Sequence, residues 1–292
     1  MLISIVIPTT GVVLELQRSL SSICQQTLEV SLEVVIVENN SLRGEVERYI
    51  DTIEWCKNIK YIYLEDCRNA NVARNAGARA SLGKYIAFLD ADDIWNKDHL
   101  ESKVNTLKQK NGKAVYSGFI IDRGNKRTIE KRSYDVCLSE NCFKFLWGKN
   151  SGYAQTSSFV VDRSVFGEVN WNESLNRNQD HDFFIQVYKK IGWVFDNNIT
   201  HRVVWPQGVH RNYHFQSMLS FYEEHKDEMC NESACGFLFL RMLESSFNDK
   251  YYYKRFQGEF KRRGANIDCH KKLFSLNQIC SRIGWVIQQK IR

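Results

Sequence analysis

The sequence predicts an α/β domain with a mixed, mainly parallel central sheet flanked by helices, followed by a helical C-terminal extension. The first half of the 292-residue chain alternates short β-rich apolar runs with stretches of helical spacing, a pattern typical of strands joined by helical crossovers. Three of the apolar runs end in clusters of polar side chains. From about residue 216 onward helical spacing dominates, and no strand is predicted there.

The elements of the first half follow from these patterns in chain order. Apolar runs predict strands at residues 2–7, 32–37, 59–64, 85–89 and 114–121. Helices are predicted between them, because Leu14, Leu16, Leu20, Ile23 and Cys24 form one helical stripe, residues 72–82 are rich in alanine, and Leu100, Val104 and Leu107 repeat at helical spacing. Residues 122–131 are expected to form a charged hairpin turn.

The pattern is weaker in the second half. Strands are predicted at residues 157–161, 193–195 and 202–205, and a helix at 181–190. These elements place a catalytic domain at residues 1–215 and a helical extension at 216–292. Residues 250–292 contain eleven Lys or Arg and two acidic residues, a balance of +9, whereas the whole chain carries +6. A mildly acidic body with a basic tail is therefore predicted.

The composition indicates which class of protein this is and in which cellular compartment it is expected. The chain is 43% hydrophobic and 25% charged, which is typical of a globular protein. No run approaches the roughly 18 to 20 apolar residues of a membrane-spanning helix, and the N-terminus reads as a buried strand and not as a signal peptide. The nine cysteines form no CxxC pair, which fits reduced thiols. We therefore expect a cytoplasmic protein.

The three polar clusters predict one shared site. Pro8-Thr9-Thr10, Glu38-Asn39-Asn40 and Asp90-Ala91-Asp92-Asp93 each follow an apolar run, and ligands of open α/β sheets bind at the carboxyl ends of the strands. Three carboxylates within four residues repel one another unless a cation or several donors gather there. Mg²⁺ or Mn²⁺ bound between carboxylates and substrate phosphates would relieve this repulsion. The alternative is an Asp-rich turn that caps the next helix.

Four segments resemble the family 2 glycosyltransferases of the GT-A fold. They are SIVIPT at residues 4–9, VVIVENNS at 34–41, NVARNAG at 71–77 (similar to the ARNxG helix of the family) and GKYIAFLDADD at 83–93 (similar to GxYIxFLDxDD). The last segment is highly specific in residue types and spacing. The resemblance covers residues 2 to about 215 and implies a glycosyltransferase that uses a nucleotide-sugar donor.

The resemblance also assigns residues to the donor. It implies that Pro8 and Thr9 and the pair Glu38 and Asn39 contact the base and ribose, where the family usually has Asp at one or both of the latter positions. It places Arg74 against the base or diphosphate; the alternative for Arg74 is an ion pair on the helix surface. In the turn after the fourth strand, Asp92 would bind the metal, Asp90 the ribose or the metal's water shell, and Ala91 lies between them.

A second segment, NQDHDFF at residues 178–184, is similar to the ED-x-D segment of the family. The resemblance implies that Asp180 is the general base. A single base with direct attack gives inversion at the anomeric carbon. Gln179 occupies the place of the usual Glu, and its neutrality removes one like charge beside the base. The alternative is that Asp180 and Asp182 only favour the start of a helix.

Two weaker matches follow the same resemblance. HRNYH at residues 210–214 is similar to a late YRxHxxS segment, so His210 or His214 is a candidate metal or diphosphate ligand, with a surface-loop histidine as the alternative. Gln155-Thr156-Ser157-Ser158 occupies a place where the family contacts the donor sugar or the acceptor.

The basic, aromatic tail suits an anionic membrane surface. Family members that build surface polysaccharides such as O-antigen or capsule use acceptors anchored to polyprenyl diphosphate in that membrane. The resemblance thus implies transfer of a hexose or N-acetylhexosamine from a sugar linked to UDP to a lipid-linked oligosaccharide, by an enzyme peripheral to the inner face of the cell membrane. A helical oligomer contact is the alternative for the tail, and no nucleic-acid motif is present.

Two other functions remain open on the sequence. Asp90-Ala91-Asp92-Asp93-Ile94 loosely fits the DxDx[TV] signature of haloacid-dehalogenase-like phosphatases, although three strand units precede it here. A non-catalytic nucleotide-sugar binder or membrane scaffold would explain Gln179.

Overall fold

The computed structural model describes residues 1–39, 44–65, 67–205 and 213–264, which divide into two compact units. Of the described residues, the first unit comprises those within 1–135 and 153–205, and the second comprises 136–152 and 213–264. The predictions for Asn40, His210 and the tail beyond residue 264 fall outside the described residues. The boundary predicted at residue 215 stays a prediction, and the sequence pattern gave no sign that residues 136–152 group with the second unit.

The first unit has two sheets and five α-helices among its described residues. Its strands are β1 (Leu2–Thr9), β2 (Ser31–Glu38), β3 (Ile59–Tyr63), β4 (Tyr85–Phe88), β5 (Ile94–Trp95), β6 (Ala114–Ser117), β7 (Phe119–Asp122), β8 (Thr128–Lys131), β9 (Val160–Asp162), β10 (Val194–Asp196) and β11 (His201–Val204). Its helices are α1 (Val13–Cys24), α2 (Glu45–Ile50), α3 (Ala70–Ala80), α4 (His99–Gln109) and α6 (Gln179–Lys190).

The central sheet confirms the predicted mixed, mainly parallel α/β architecture. Its seven strands lie in the order β10-β6-β9-β4-β1-β2-β3. Strands β4, β1, β2 and β3 run parallel, as do β10 and β6, whereas β9 is antiparallel to both of its neighbours. A smaller sheet of four strands has the order β5-β11-β7-β8. The crossover helices place successive parallel strands side by side, so their carboxyl ends meet at one edge.

Buried side chains on the two faces of β1 explain how the sheet is covered. Ile3, Ile5 and Ile7 belong to the same buried cluster as Leu16, Leu20 and Ile23 of the stripe predicted for α1, whereas Leu14 and Cys24 of that stripe are exposed. On the other face α3 approaches the strands closely at Gly77, where an added Cβ would lie 2.4 Å from a methyl group of Val6. The glycine of the NVARNAG segment is therefore required by the packing of α3 on the sheet.

One predicted strand is wrong, because residues 114–121 form two strands. Strand β6 joins the central sheet and β7 joins the smaller one, with Gly118 between them. A Cβ at Gly118 would lie 2.4 Å from the carbonyl oxygen of Lys131, so only glycine allows the chain to pass β8 there. Strand β8 and its pairing with β7 lie in the region predicted as a charged hairpin.

The strand predicted at residues 157–161 begins later than expected. Residues Thr156–Ser158 form a 3-10 turn, and β9 starts only at Val160. The side-chain oxygen of Gln155 accepts a hydrogen bond from the backbone N–H of Ser157 at 2.7 Å, which favours the turn over an extended chain. Helix α2 and strand β5 were not predicted, since both are short and have few apolar residues to reveal a period.

The second unit is helical in its described part, as predicted for residues after 216. It contains α5 (Cys142–Trp147), α7 (Phe215–His225), α8 (Asn231–Ser246) and α9 (Lys250–Arg262). Its aromatic core centres on Phe237, whose ring lies 5.2 Å from that of Trp147 and 5.6 Å from that of Phe221. Helix α5 was not predicted, because six residues are too few to establish helical spacing.

Helix α9 is amphipathic. Phe256 and Phe260 are buried, whereas its exposed cations are Lys250, Lys254, Arg255, Lys261 and Arg262. Among the residues that the structure describes, no helix has both the length and the apolar character needed to cross a membrane.

Candidate donor and catalytic site

The predicted polar strand ends lie at the same edge of the central sheet. Thr9 at the end of β1 pairs in register with Glu38 at the end of β2, and the backbone N–H of Asn39 donates to the carbonyl of Thr9 at 3.0 Å. Strand β4 is the other neighbour of β1, and its chain continues directly into Asp90. The topology therefore brings the three clusters to one edge, as expected for parallel strands.

A buried polar corner forms where β1 and β2 end. Pro8, Thr9, Glu38 and Asn39 are all buried. One carboxylate oxygen of Glu38, Oε2, accepts a hydrogen bond from the hydroxyl of Tyr61 at 2.6 Å, whereas the other, Oε1, is buried without a partner among the described residues. A buried acceptor without a donor is unfavourable, so Oε1 is suited to receive an N–H or O–H group from a ligand. Nothing in the sequence pattern pointed to Tyr61.

The turn after β4 separates its three aspartates into different environments. The carboxylate of Asp90 is one-quarter exposed, Asp92 is exposed, and Asp93 is buried. Desolvation by the surrounding protein, together with the negative charges of Asp90 and Glu15, raises the pKa of Asp92 to about 6. Two adjacent carboxylates with accessible oxygens are suitable ligands for a hard divalent cation.

Asp93 lies inside the protein, where its carboxyl group holds the turn in place, and unlike Asp92 it is not exposed to solvent. Its Oδ2 atom accepts hydrogen bonds from the Ser157 hydroxyl at 2.6 Å and from the side-chain amide of Gln155 at 2.9 Å. The Ser157 oxygen in turn accepts the backbone N–H of Asp90 at 3.1 Å. The structure thus turns Gln155 and Ser157 toward the interior and onto the aspartate turn, where the resemblance suggested contacts with sugar or acceptor.

The network continues deeper through two histidines. The Oε1 atom of Gln155 accepts from Nε2 of His201 at 2.9 Å, and the ring of His201 lies 5.9 Å from that of His99. Burial lowers the pKa of both histidines well below the usual value, and the charge of the buried Lys103 lowers each pKa further. Lys103 itself forms a buried ion pair with Asp196 at 2.7 Å. This polar network supports the turn and was not visible in the sequence.

Arg74 is buried and forms an ion pair within the candidate site. Its Nη2 atom lies 2.7 Å from Oδ1 of Asp90, and its Nη1 atom donates to the side-chain oxygen of Asn71 at 3.0 Å. The guanidinium also lies 4.7 Å from the ring centre of Trp171, which stacks on Phe183 at 4.0 Å. The Nε atom of Arg74 is buried with no partner among the described residues.

Helix α6 begins beside Arg74 and brings the second predicted segment to the first. The side-chain oxygen of Gln179 lies 3.5 Å from Nη1 of Arg74. Asp180 follows directly, with its carboxylate about one-third exposed, and accepts the backbone N–H of His181 at 2.9 Å. Asp182, by contrast, is buried. Asp180 thus directly follows Gln179, whose side chain contacts Arg74, and Arg74 in turn pairs with Asp90.

His214 belongs to the second unit. It precedes α7 with a left-handed backbone (φ 43°). Its assignment as a metal ligand stays a prediction, and His210 lies outside the described residues.

Comparison with known proteins identifies the family. The model of glycosyl transferase family 2 matches residues 4–169, more than half of the chain and including every segment up to the aspartate turn. The chain belongs to glycosyl transferase family 2. It is therefore a glycosyltransferase, and the phosphatase and non-catalytic alternatives are wrong.

Family 2 members with related sequences and structures include bacterial enzymes. The chain is 27% identical over 232 residues to the amylovoran biosynthesis glycosyltransferase AmsB of Erwinia amylovora, covering 77% of this chain and 73% of AmsB. It is 29% identical over 207 residues to WfgD of Escherichia coli, a UDP-Glc:alpha-D-GlcNAc-diphosphoundecaprenol beta-1,3-glucosyltransferase, covering 68% and 72% of the two chains.

A solved structure supports the GT-A architecture. The fold is similar to that of Staphylococcus aureus TarS, residues 1–349, in complex with UDP-GlcNAc, with a TM-score of 0.59 and 17% identity over 90% of this chain and 72% of the TarS chain. At this identity the similarity concerns the fold alone.

Proposed function

We propose that this glycosyltransferase transfers a hexose or N-acetylhexosamine from a UDP-sugar to a polyprenyl-diphosphate-linked saccharide, with inversion, in the synthesis of a bacterial surface polysaccharide such as O-antigen or capsule. The observation that supports the proposal best is the line of contacts from Asp90 through Arg74 to Gln179. This line connects the aspartate turn with the helix that begins with Asp180. A donor diphosphate and a general base are needed on opposite sides of one anomeric carbon.

The nucleotide is proposed to occupy the corner formed by Pro8, Thr9, Glu38 and Asn39. The unpartnered Oε1 atom of Glu38 supports this, since uracil offers an imide N–H that a carboxylate accepts. WfgD is named for UDP-glucose, which favours UDP over other nucleotides.

The diphosphate is proposed to lie near Arg74, Asp90, Ala91 and Asp92. Asp92 is the proposed direct ligand of Mg²⁺ or Mn²⁺, with Asp90 as a further candidate. The bound metal would neutralise negative charge that develops on the departing diphosphate. Arg74 is held by Asp90 and Trp171, and its buried Nε–H has no other partner among the described residues, so it is an available donor for a phosphate oxygen.

Asp180 is the proposed general base. Its carboxylate takes the proton of the acceptor hydroxyl while that oxygen attacks the anomeric carbon. The bond from this carbon to the diphosphate oxygen breaks with its electron pair, and the nucleoside diphosphate leaves. A single displacement of this kind inverts the anomeric configuration. Positioned base catalysis contributes roughly 10² to 10⁴ in rate.

The acceptor and the location follow from the second unit and from a relative. Helix α9 buries its phenylalanines within the second unit and exposes five cations, which suit electrostatic attraction to an anionic membrane surface. Each cation near an anionic bilayer contributes roughly 1 kcal/mol to binding. WfgD is named for a diphosphoundecaprenol acceptor. We infer that the enzyme is cytoplasmic and binds the inner face of the membrane, where such acceptors are exposed.

Thermal-shift and calorimetric titrations test the donor site. We expect UDP and UDP-sugars with Mn²⁺ to stabilise the wild-type protein, and GDP and dTDP counterparts to stabilise it less. Asp92→Asn should abolish the metal-dependent part. Asp98→Asn, an exposed aspartate six residues further along, is the matched control and should behave as wild type. Folded wild-type protein that responds to no nucleotide would contradict the proposed function.

A further inference from the structure

Gln179 replaces the glutamate that the family usually has before the general base, and the structure surrounds it with groups that require an amide. Its Nε2 atom donates to the carbonyl oxygen of Leu175 at 2.8 Å and faces Oδ1 of Asn69 at 3.3 Å. A carbonyl oxygen is only an acceptor. A glutamate at this position would therefore place a carboxylate oxygen against it.

The orientation of Asn69 is also fixed, so the second acceptor is not interchangeable. Oδ1 of Asn69 accepts the backbone N–H of Asn71 at 2.8 Å as the cap of α3, and its Nδ2 atom donates to the carbonyl of Glu173 at 2.7 Å. With Nε2 of Gln179 held between two acceptors, its Oε1 atom faces Nη1 of Arg74. The helix of the proposed base is thereby attached to the cap of α3 and to Arg74.

The neutrality of Gln179 leaves the charges of Arg74 and Asp90 balanced. Among the described residues, Asp90 is the one carboxylate that pairs with Arg74. A second carboxylate at position 179 would share the guanidinium between two anions and leave the group of three with a net negative charge. The neutral amide accepts an N–H of Arg74 without adding a charge, so the positive charge of Arg74 faces only the negative charge of Asp90.

We propose that Gln179 is a positioning residue selected as an amide: it fixes the start of α6 and holds Arg74 on Asp90 without competing for its charge. The inference rests on the proposed function, in which Arg74 serves the donor diphosphate.

Two substitutions separate charge from anchoring. Gln179→Glu and Gln179→Met both remove the amide donor from the Leu175 carbonyl, but only the glutamate adds an anion beside Arg74. Gln186→Glu adds the same charge to the same helix at a partly exposed position two turns further on, and is the matched control. The readout is the dissociation constant of UDP with Mn²⁺ by calorimetry, together with the rate of UDP-sugar hydrolysis without acceptor.

We expect Gln179→Glu to weaken UDP binding about tenfold, because the new carboxylate competes with the diphosphate for Arg74. Gln179→Met should bind UDP within about twofold of wild type because it adds no anion, but it should slow donor hydrolysis because the start of α6 loses its anchor. Gln186→Glu should match wild type in both readouts. Equal affinity of Gln179→Glu and wild type would overturn the inference, and so would equal weakening by the glutamate and the methionine. If Gln179→Glu does not fold, donor hydrolysis by Gln179→Met at the wild-type rate is sufficient to overturn it. Wild-type protein that binds none of the nucleotides would instead refute the proposed function, and this inference with it.

Discussion

Removal of the Ser157 hydroxyl should loosen the aspartate turn far more than the same change one residue later. The Ser157 oxygen serves two partners, the carboxyl group of Asp93 and the backbone N–H of Asp90. The adjacent Ser158 is equally buried, but its hydroxyl donates only to the carbonyl of Gln155 at 2.7 Å. The two serines therefore form a matched pair for the substitution by alanine.

The contacts give the expected magnitudes. A hydrogen bond contributes about 1 kcal/mol net, and a shielded group left without its partner costs about 1 to 3 kcal/mol. Ser157→Ala removes a bond to Asp93 and leaves the Asp90 N–H without an acceptor, so the free energy of unfolding should fall by about 2 to 4 kcal/mol. Ser158→Ala should lower it by about 1 kcal/mol.

Urea unfolding followed by tryptophan fluorescence measures both losses. The Mn²⁺-dependent stabilisation by UDP should also weaken in Ser157→Ala, because Asp90 loses the contact that holds its backbone, and should persist in Ser158→Ala. Equal losses of stability in the two variants, or unchanged nucleotide binding in Ser157→Ala, would show that the hydroxyl does not position the turn.

Two further predictions concern the proposed base and the buried histidines. Asp180→Asn should reduce the rate of transfer, measured by single-turnover kinetics, by roughly 10² to 10⁴. The affinity of this variant for UDP, measured by calorimetry, should stay within about twofold of wild type. Normal turnover would remove Asp180 from the mechanism. Burial holds the pKa of His99 and His201 well below the unfolded value of about 6.5. Below that value the unfolded chain binds protons that the folded protein does not, so the free energy of unfolding decreases as the pH falls. Between pH 6 and 5 each histidine should contribute roughly 1.4 kcal/mol per pH unit to the slope of the unfolding free energy against pH. The variant His201→Gln should lower this slope by that amount. An unchanged slope would mean that His201 does not stay neutral.

The sequence alone was sufficient to predict those strands and helices whose apolar residues recur at a regular spacing. The runs that became β1, β2 and β4 are apolar at nearly every position because these strands lie inside the sheet, and each ends in a polar cluster that the parallel topology brings to one edge. The split of residues 114–121 could not be predicted in the same way. It depends on the close approach of Gly118 to Lys131, a contact between two strands that no local pattern records.

The candidate site shows the same division. Asp90 and Asp92 stand out because carboxylates directly after an apolar run are unusual, whereas Asp180 was found only because its segment resembles that of the family, from which Gln179 departs. The separation of Asp93 from its two neighbours is not visible, because it depends on Gln155 and Ser157, more than sixty residues away. The pairing of Arg74 with Asp90 likewise requires the folded sheet.

The stack of Phe183, Trp171 and Arg74 has a consequence for the thermodynamics of ligand capture. A free arginine side chain loses roughly 2 kcal/mol of rotamer entropy when it is immobilised. Here the indole, itself fixed by Phe183, already restricts the plane of the guanidinium at folding. An anion that arrives at Arg74 therefore meets a preorganised donor and does not have to order it. Lysine, with no plane to stack, would have to be ordered at every binding event, so Arg and Lys are not equivalent at this position.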